Sequence, residues 1–374
     1  MSFYIYQYAE WPRFTWKQET IAPLLADVRH TQARLLGRMD ALGFGIKEEA
    51  TLQTITSDVL KSSEIEGELL DAAQVRSSIA RRLGMNVAGM IPADRNVEGM
   101  VEMMLDATQK FNEPLTDERL FSWHAALFPT GRSGMQKIKT GAWRNNTSDD
   151  PMQVVSGPMG KEKVHYQAPD AELLADEMNH FINWFNTEMN IDPVLKVAIA
   201  HVWFITIHPF DDGNGRIARA IADMQLARAD GTAQRFYSMS AQIRKERNAY
   251  YDILEATQKG TLDITGWLTW FLNCLHRSLL ATDETLATVL HKARFWEQHA
   301  KTILNNRQVL MLNKLLDDFT GKLTSSKWAT ITKCSQDTAL RDIQDLMQKY
   351  ILVKEVGGGR STGYVINEIT GLQK

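Results

Sequence analysis

Residues 194–210 form the most apolar window of the chain. Lys196, His201, His208 and Pro209 interrupt it, so it falls short of the roughly 20 apolar residues that a membrane span needs. Asp192-Pro193 directly ahead supplies an N-cap and a first-turn proline. The spacing therefore predicts a helix ending near Ile207 that is central and buried on most sides. With 374 residues and about 100–200 residues per domain, two or three domains can surround it. Only 10 prolines and long runs of apolar residues at three- and four-residue spacing predict a mainly α protein with few strands.

The order of elements follows. Residues 18–46 read as a helix pair and 50–60 as a further helix. Another helix lies within 92–111, and Thr116 caps one that runs through Leu127. Turn chemistry in Asn-Asn-Thr-Ser-Asp-Asp-Pro precedes a β-hairpin whose strands, around Gln153-Val-Val and Lys163-Val-His-Tyr, flank Ser156-Gly-Pro-Met-Gly. A helix over about 170–186 comes next. The aromatic stretch Trp11-Pro-Arg-Phe-Thr-Trp16 reads as packing. The last ~75 residues give helix, turn, helix, helix and β-hairpin, the order of a winged helix. Expected domains are 1–110 (N-terminal helical), 111–285 (core) and 286–374 (winged helix-turn-helix).

Composition excludes several classes. A net charge of −3 removes a global electrostatic case for nucleic-acid or membrane-surface binding. Cys274 and Cys334 stand 60 positions apart, which argues against a disulfide framework or thiolate metal cluster. Without a signal-like start, a cytoplasmic protein is expected. Residues 300–374 carry eleven Lys/Arg against seven Asp/Glu. Lys333, Arg341, Lys349 and Arg360 there could face DNA phosphates, although Asp337, Asp342 and Asp345 interrupt the recognition helix. Winged helices also serve protein docking and dimerisation, so a homodimer is the other use of this unit.

The chemistry is concentrated in His208-Pro-Phe-Asp-Asp-Gly-Asn-Gly-Arg-Ile-Ala-Arg219. A buried helix ends at a histidine, a Gly-Asn-Gly loop turns the chain, and a second helix starts near Arg216. Backbone N–H groups of such a loop and the following helix N-terminus form an anion cradle. Arg216 and Arg219, three apart, lie together on the first turn and can fork onto phosphate oxygens. Asp212 at the loop entrance suits Mg²⁺ shared with phosphates and water. His208, neutral at pH 7, can take a proton from a hydroxyl.

These twelve residues match, at every defined position, the pattern His-x-Phe-x-(Asp/Glu)-Gly-Asn-Gly-(Arg/Lys)-x-x-Arg. The chain thus resembles the Fic family, strongly over about residues 60–260. The resemblance implies a helical core that transfers AMP from ATP to a Ser, Thr or Tyr hydroxyl of a target protein. His208 would be the base and Asp212 the Mg²⁺ ligand. Gly213, Asn214 and Gly215 would bind phosphate, with Asn214 facing the α-phosphate and Arg216 and Arg219 holding the β- and γ-phosphates. Gly215 favours nucleotidyl transfer, since related Doc-type kinases have Lys there.

The hairpin corresponds to the family's flap. Gln153, Val154, Val155, Ser156 and Gly157 would dock the target by strand addition. Tyr250, with Tyr251 and Gln258 behind it, would line the adenine pocket. Upstream, Ser62-Ser-Glu-Ile-Glu-Gly-Glu68 resembles the inhibitory motif (Ser/Thr)-x-x-x-Glu-(Gly/Asn) of class II members. Glu66 would pair with Arg219 where the γ-phosphate must go, assisted by Ser62 and Gly67, and could also position water to remove AMP. Ser63-Glu-Ile-Glu66 alone equally reads as a capping box at a helix start. The rival to a self-inhibited transferase is a nucleotide-sensing DNA-binding regulator, and a γ-phosphate kinase comes third.

Overall fold

Apolar spacing is converted into helices nearly throughout the chain. The computed structural model describes residues 3–40, 44–85, 90–147, 149–158, 160–316, 319, 321–355 and 362–367. Two units divide the chain, Met1–Asp283 and Glu284–Lys374. The first holds α1 (Gln18–Asp40), α2 (Phe44–Ile65), α3 (Ala72–Arg82), α4 (Arg95–Gln109) and α5 (Asp117–Leu127). The hairpins β1 (Arg132–Ser133) with β2 (Gln136–Lys137) and β3 (Gln153–Ser156) with β4 (Lys163–Gln167) follow. Then come α6 (Leu174–Thr187), α7 (Pro193–Ile207), α8 (Asn214–Asp230), α9 (Met239–Lys245), α10 (Arg247–Gln258) and α11 (Thr265–Gln298), within which the division falls.

The centre is α7 against α8. The Asp192 carboxylate accepts from Val194 N, Pro193 opens the helix, and every residue from Val194 to Ile207 is buried. Each aliphatic side chain sealed here is worth about 1.5–3 kcal/mol against exposure. Lys196 reaches out of this core to the Glu188 carbonyl. Trp11 and Phe14 pack edge-on against Trp203, which makes the N-terminal aromatics packing residues. Two sequence expectations change. Residues 18–40 are one helix, not part of a pair, and α2 continues to Ile65, because Leu52, Ile55, Val59 and Ile65 are all core positions.

In the β3–β4 hairpin Gln153 faces Gln167 and Ser156 faces Lys163, with an irregularity between Val154 and Val155. Buried Tyr166 on β4 donates to the Thr206 carbonyl in the last turn of α7 at 2.6 Å, which pins the hairpin beside that helix end.

The second unit contains α12 (Asn306–Leu316), α13 (Ser325–Thr332), α14 (Gln336–Gln348), β5 (Leu352–Lys354) and β6 (Tyr364–Ile366). Thr324 and Ser335 cap α13 and α14, and Leu312, Trp328, Ile343 and Leu346 form the core. Of the four cations expected to face phosphates, Lys333 and Arg341 are exposed. Lys349 is held by Asp345 and the Ile303 carbonyl, and Arg360 lies outside the described residues. Asp342 does not interrupt the outer face as expected. It is buried and accepts from Arg307 and Asn305. Among the described residues no helix is long and apolar enough to cross a membrane.

Candidate functional site

His208 ends α7 in the left-handed region, at φ 52°. A non-glycine residue held there marks a position that its surroundings enforce. Arg144 provides that enforcement. Its Nε donates to the His208 carbonyl at 2.8 Å, its backbone N–H to the Pro209 carbonyl at 2.9 Å, and its Nη2 to the Pro169 carbonyl. The imidazole Nδ1 lies 3.2 Å from the Ile205 carbonyl. That carbonyl can only accept, so Nδ1 carries the proton and Nε2 keeps its lone pair. Burial, reinforced by Arg144, pushes the His208 pKa down to about 4, against the opposing pull of the Ile205 carbonyl, Asp212 and Glu66. The ring is a neutral base over the whole physiological range.

The loop after it is closed by its own asparagine. Asn214 Nδ2 donates to the Phe210 carbonyl at 2.8 Å, and Asn214 Oδ1 accepts from Phe210 N at 3.0 Å. The side chain expected to face a phosphate is therefore spent on the loop, and Asn214 offers its backbone N–H instead. Gly213 N–H likewise goes to Asp212 Oδ1. The first turn of α8 still presents the N–H groups of Asn214, Gly215 and Arg216 with the positive end of the helix. Gly213, at φ 79°, caps this helix, and a Cβ on it would lie 2.9 Å from the Phe128 ring. Gly213→Ala should destabilise the fold by about 1–3 kcal/mol, read as a lower midpoint of thermal unfolding.

Both arginines are buried and both are engaged from one segment. Arg219 donates through Nε to Ser62 Oγ (2.8 Å) and through Nη2 to the Ser62 carbonyl (2.9 Å) and Glu66 Oε1 (2.7 Å). Arg216, stacked on Phe128, donates through Nη1 to Glu68 Oε2 at 2.6 Å. Among the described residues Arg219 Nη1 and Arg216 Nε are buried donors without an acceptor. Burial lowers the Arg219 pKa, but Glu66 outweighs it and the net shift is upward. A salt-bridged cation here remains charged.

The Ser62-to-Glu68 segment closes a helix; it does not open one. Glu68 N bonds the Ser63 carbonyl, Gly67 N bonds the Glu64 carbonyl, and Gly67 takes φ 87°. This is a Schellman stop, with glycine at the left-handed position. The capping-box alternative is excluded, because Ser63 lies in the last turn of α2. The turn carries Glu66 and Glu68 onto the two arginines. Glu66 Oε1 also lies 2.2 Å from where a Cβ on Gly215 would stand, so a side chain at 215 would displace this carboxylate.

The adenine-pocket expectation needs correction. Tyr250 is buried with its hydroxyl on His201 Nε2 at 2.8 Å, packed against Trp267 and Trp270. Gln258 is buried behind the end of α7. Tyr251 is the tyrosine that faces the site, with its hydroxyl 3.3 Å from Glu66 Oε2 and Arg247 over its ring. The 100° step between adjacent helical residues sends one tyrosine inward and the other outward. Asp212 accepts from the Ser133 hydroxyl as well as from Gly213 N. His124 lies stacked on Phe210 and bonded to the Asp212 carbonyl and Gly141 N, and supports the loop from below. Ser133, His124 and Arg144 carry no local motif that points to the site, and Glu68 lies just past the defined positions of the inhibitory pattern. Only the fold brings them there.

A neutral histidine ends a buried helix, and a glycine-capped helix with two buried arginines follows it directly. The Fic/DOC family model matches residues 114–226, and a model described as Domain of unknown function (DUF4172) matches residues 4–85. The Fic/DOC match contains the whole stretch from His208 to Arg219. It is 27% identical over 240 residues to "Protein adenylyltransferase Fic" of Aedes aegypti, covering 62% of this chain and 42% of that protein. It is 28% identical over 237 residues to the protein of the same name in Drosophila yakuba, again covering 62% and 42%. The matched region thus spans less than half the length of these curated relatives. A Fic family protein from Desulfovibrio desulfuricans G20 shares the fold, with a TM-score of 0.55 and 20% identity over 96% of this chain and 98% of that one.

Proposed function

We propose that this chain is a self-inhibited protein adenylyltransferase that moves AMP from ATP to Ser, Thr or Tyr hydroxyls of protein targets, itself included. The observation that carries the reading is the His208 tautomer. Nδ1 is committed to Ile205, and Nε2 is left free to receive a hydroxyl proton at the mouth of the α8 cradle. A protein that only sensed ATP would need the cradle but not the base.

In this reading the first-turn N–H groups of α8 and the two acceptor-less guanidinium donors, Arg216 Nε and Arg219 Nη1, receive the phosphates. Asp212 suits Mg²⁺ as a single hard carboxylate at the cradle entrance. Among the described residues no group of three or more His, Cys, Asp or Glu side chains could hold a metal by itself, so phosphate oxygens would complete the coordination. Mg²⁺ there would neutralise charge on the α- and β-phosphates. Tyr251, with the flap opposite, would border the adenine. The flap strand β3 pairs with β4 along one edge. Its other edge would take a target segment by main-chain pairing, with exposed Val155 beside it.

Glu66 and Glu68 place two carboxylates on the same guanidinium groups, at Arg219 Nη2 and Arg216 Nη1, where they repel incoming phosphates, which supports self-inhibition. Glu68 is the weaker arm, because its side chain is half exposed and exposed pairs are worth about 1 kcal/mol or less. Glu68→Gln should therefore tighten ATP binding a few-fold at most, measured by titration calorimetry. The overall reading is tested with ATP labelled at the α- or the γ-phosphate. Label on protein from the α position is expected; label from the γ position alone would make the protein a kinase.

A further inference from the structure

We propose that Ser156 on the flap is a self-modification site, a serine with its own base that accepts AMP independently of His208. The inference rests on the transferase reading above and extends it to a named acceptor. Ser156 Oγ lies 2.6 Å from His165 Nε2, and His165 Nδ1 lies 2.6 Å from Glu255 Oε2. Glu255 also accepts from Lys259 Nζ at 2.6 Å.

Proton positions along this chain follow from the inventory of donors. A carboxylate only accepts, so Nδ1–H donates to Glu255. Nε2 is then the acceptor, and the Ser156 hydroxyl donates to it. This is the order nucleophile, base, orienting carboxylate that activates a serine. Hydrogen bonds from Lys259 and then His165 hold the Glu255 pKa down at about 2. Glu255 therefore stays ionised and can hold the imidazolium formed when His165 takes the proton. Ser156 is exposed, so its oxygen is accessible to an electrophile.

The relay lies beside the cradle. Glu255 stands one helical turn from Tyr251, on the same face of α10, and Tyr251 meets Glu66. The strand carrying His165 is pinned to the last turn of α7 by the neighbouring Tyr166. In the reaction Ser156 Oγ attacks the α-phosphorus of ATP and forms the new P–O bond. The bond from that phosphorus to the bridging oxygen breaks, and pyrophosphate leaves with the electron pair. The hydroxyl proton passes to His165 Nε2.

The test uses the full chain with Glu66→Gly, Mg²⁺ and α-labelled ATP, with modified residues mapped by peptide mass spectrometry. AMP is expected on Ser156. His165→Ala and Glu255→Gln should each lower that occupancy relative to the other labelled residues, by about 10²-fold for the base. His208→Ala should spare Ser156 relative to every other acceptor. AMP on other residues with none on Ser156 would overturn the proposal and leave the transferase reading standing. Ser156 label indifferent to His165→Ala would overturn the relay. No α-label in any variant would overturn the transferase reading and this inference with it.

Discussion

Glu66→Gly should raise AMP transfer by about 10- to 100-fold. The estimate follows from what Glu66 does. It accepts a charge-assisted hydrogen bond from Arg219 at 2.7 Å, an interaction worth about 1.5–3 kcal/mol, and every 1.4 kcal/mol is about tenfold. A γ-phosphate and the Glu66 carboxylate compete for the same guanidinium, so removing the carboxylate returns the donor and takes away a like charge. Arg219 keeps Ser62 Oγ and the Ser62 carbonyl as acceptors; the arginine stays in place. The variant should unfold at slightly lower temperature alone and gain more from ATP than the wild type does, since ligand that binds only the folded state stabilises by mass action. The measurement is α-label on protein together with thermal unfolding with and without ATP. Unchanged transfer in Glu66→Gly would reject self-inhibition. Should Glu66 also position water for AMP removal, the same variant would fail to release AMP from protein labelled beforehand.

What could be read from the sequence and what could not differ for physical reasons. The α7–loop–α8 unit is local. Its capping residues, apolar run and glycines lie within about 30 consecutive positions, and short-range rules suffice to place His208 and the arginines. Ser62, Glu66 and Gly67 are legible only as a motif, and the local reading of Ser63-Glu-Ile-Glu66 as a capping box points to the wrong end of a helix. A Schellman stop and a capping box draw on overlapping residue types, and only the course of α2 separates them. Tyr250 and Tyr251 are chemically identical neighbours. Which of them turns inward depends on where Trp267 and His201 lie, far along the chain. The family resemblance assigns the Asn214 side chain to the α-phosphate, whereas its amide satisfies both backbone groups of Phe210. Arg144 is the clearest omission. It lies 64 positions from the carbonyl it holds, and nothing near it in sequence distinguishes it from any other arginine.

His208→Ala should lower AMP transfer by about 10²- to 10⁴-fold at every hydroxyl other than Ser156, the range for loss of a general base. ATP binding should change little. The phosphate donors lie on α8, and Arg144 bonds the His208 carbonyl, which alanine retains. Loss of transfer together with loss of ATP binding would mean that His208 shapes the loop and does not act on the acceptor. The pH profile distinguishes these further. His208 titrates at about 4, well below a free imidazole, because burial disfavours its charged form. A base must be unprotonated, so in the Glu66→Gly background transfer should stay level from neutral pH to about 5 and fall only as His208 protonates below that. An inflection near 6.5 would mean that the histidine is hydrated in the working state, and that the helix end which keeps it dry opens when ATP binds.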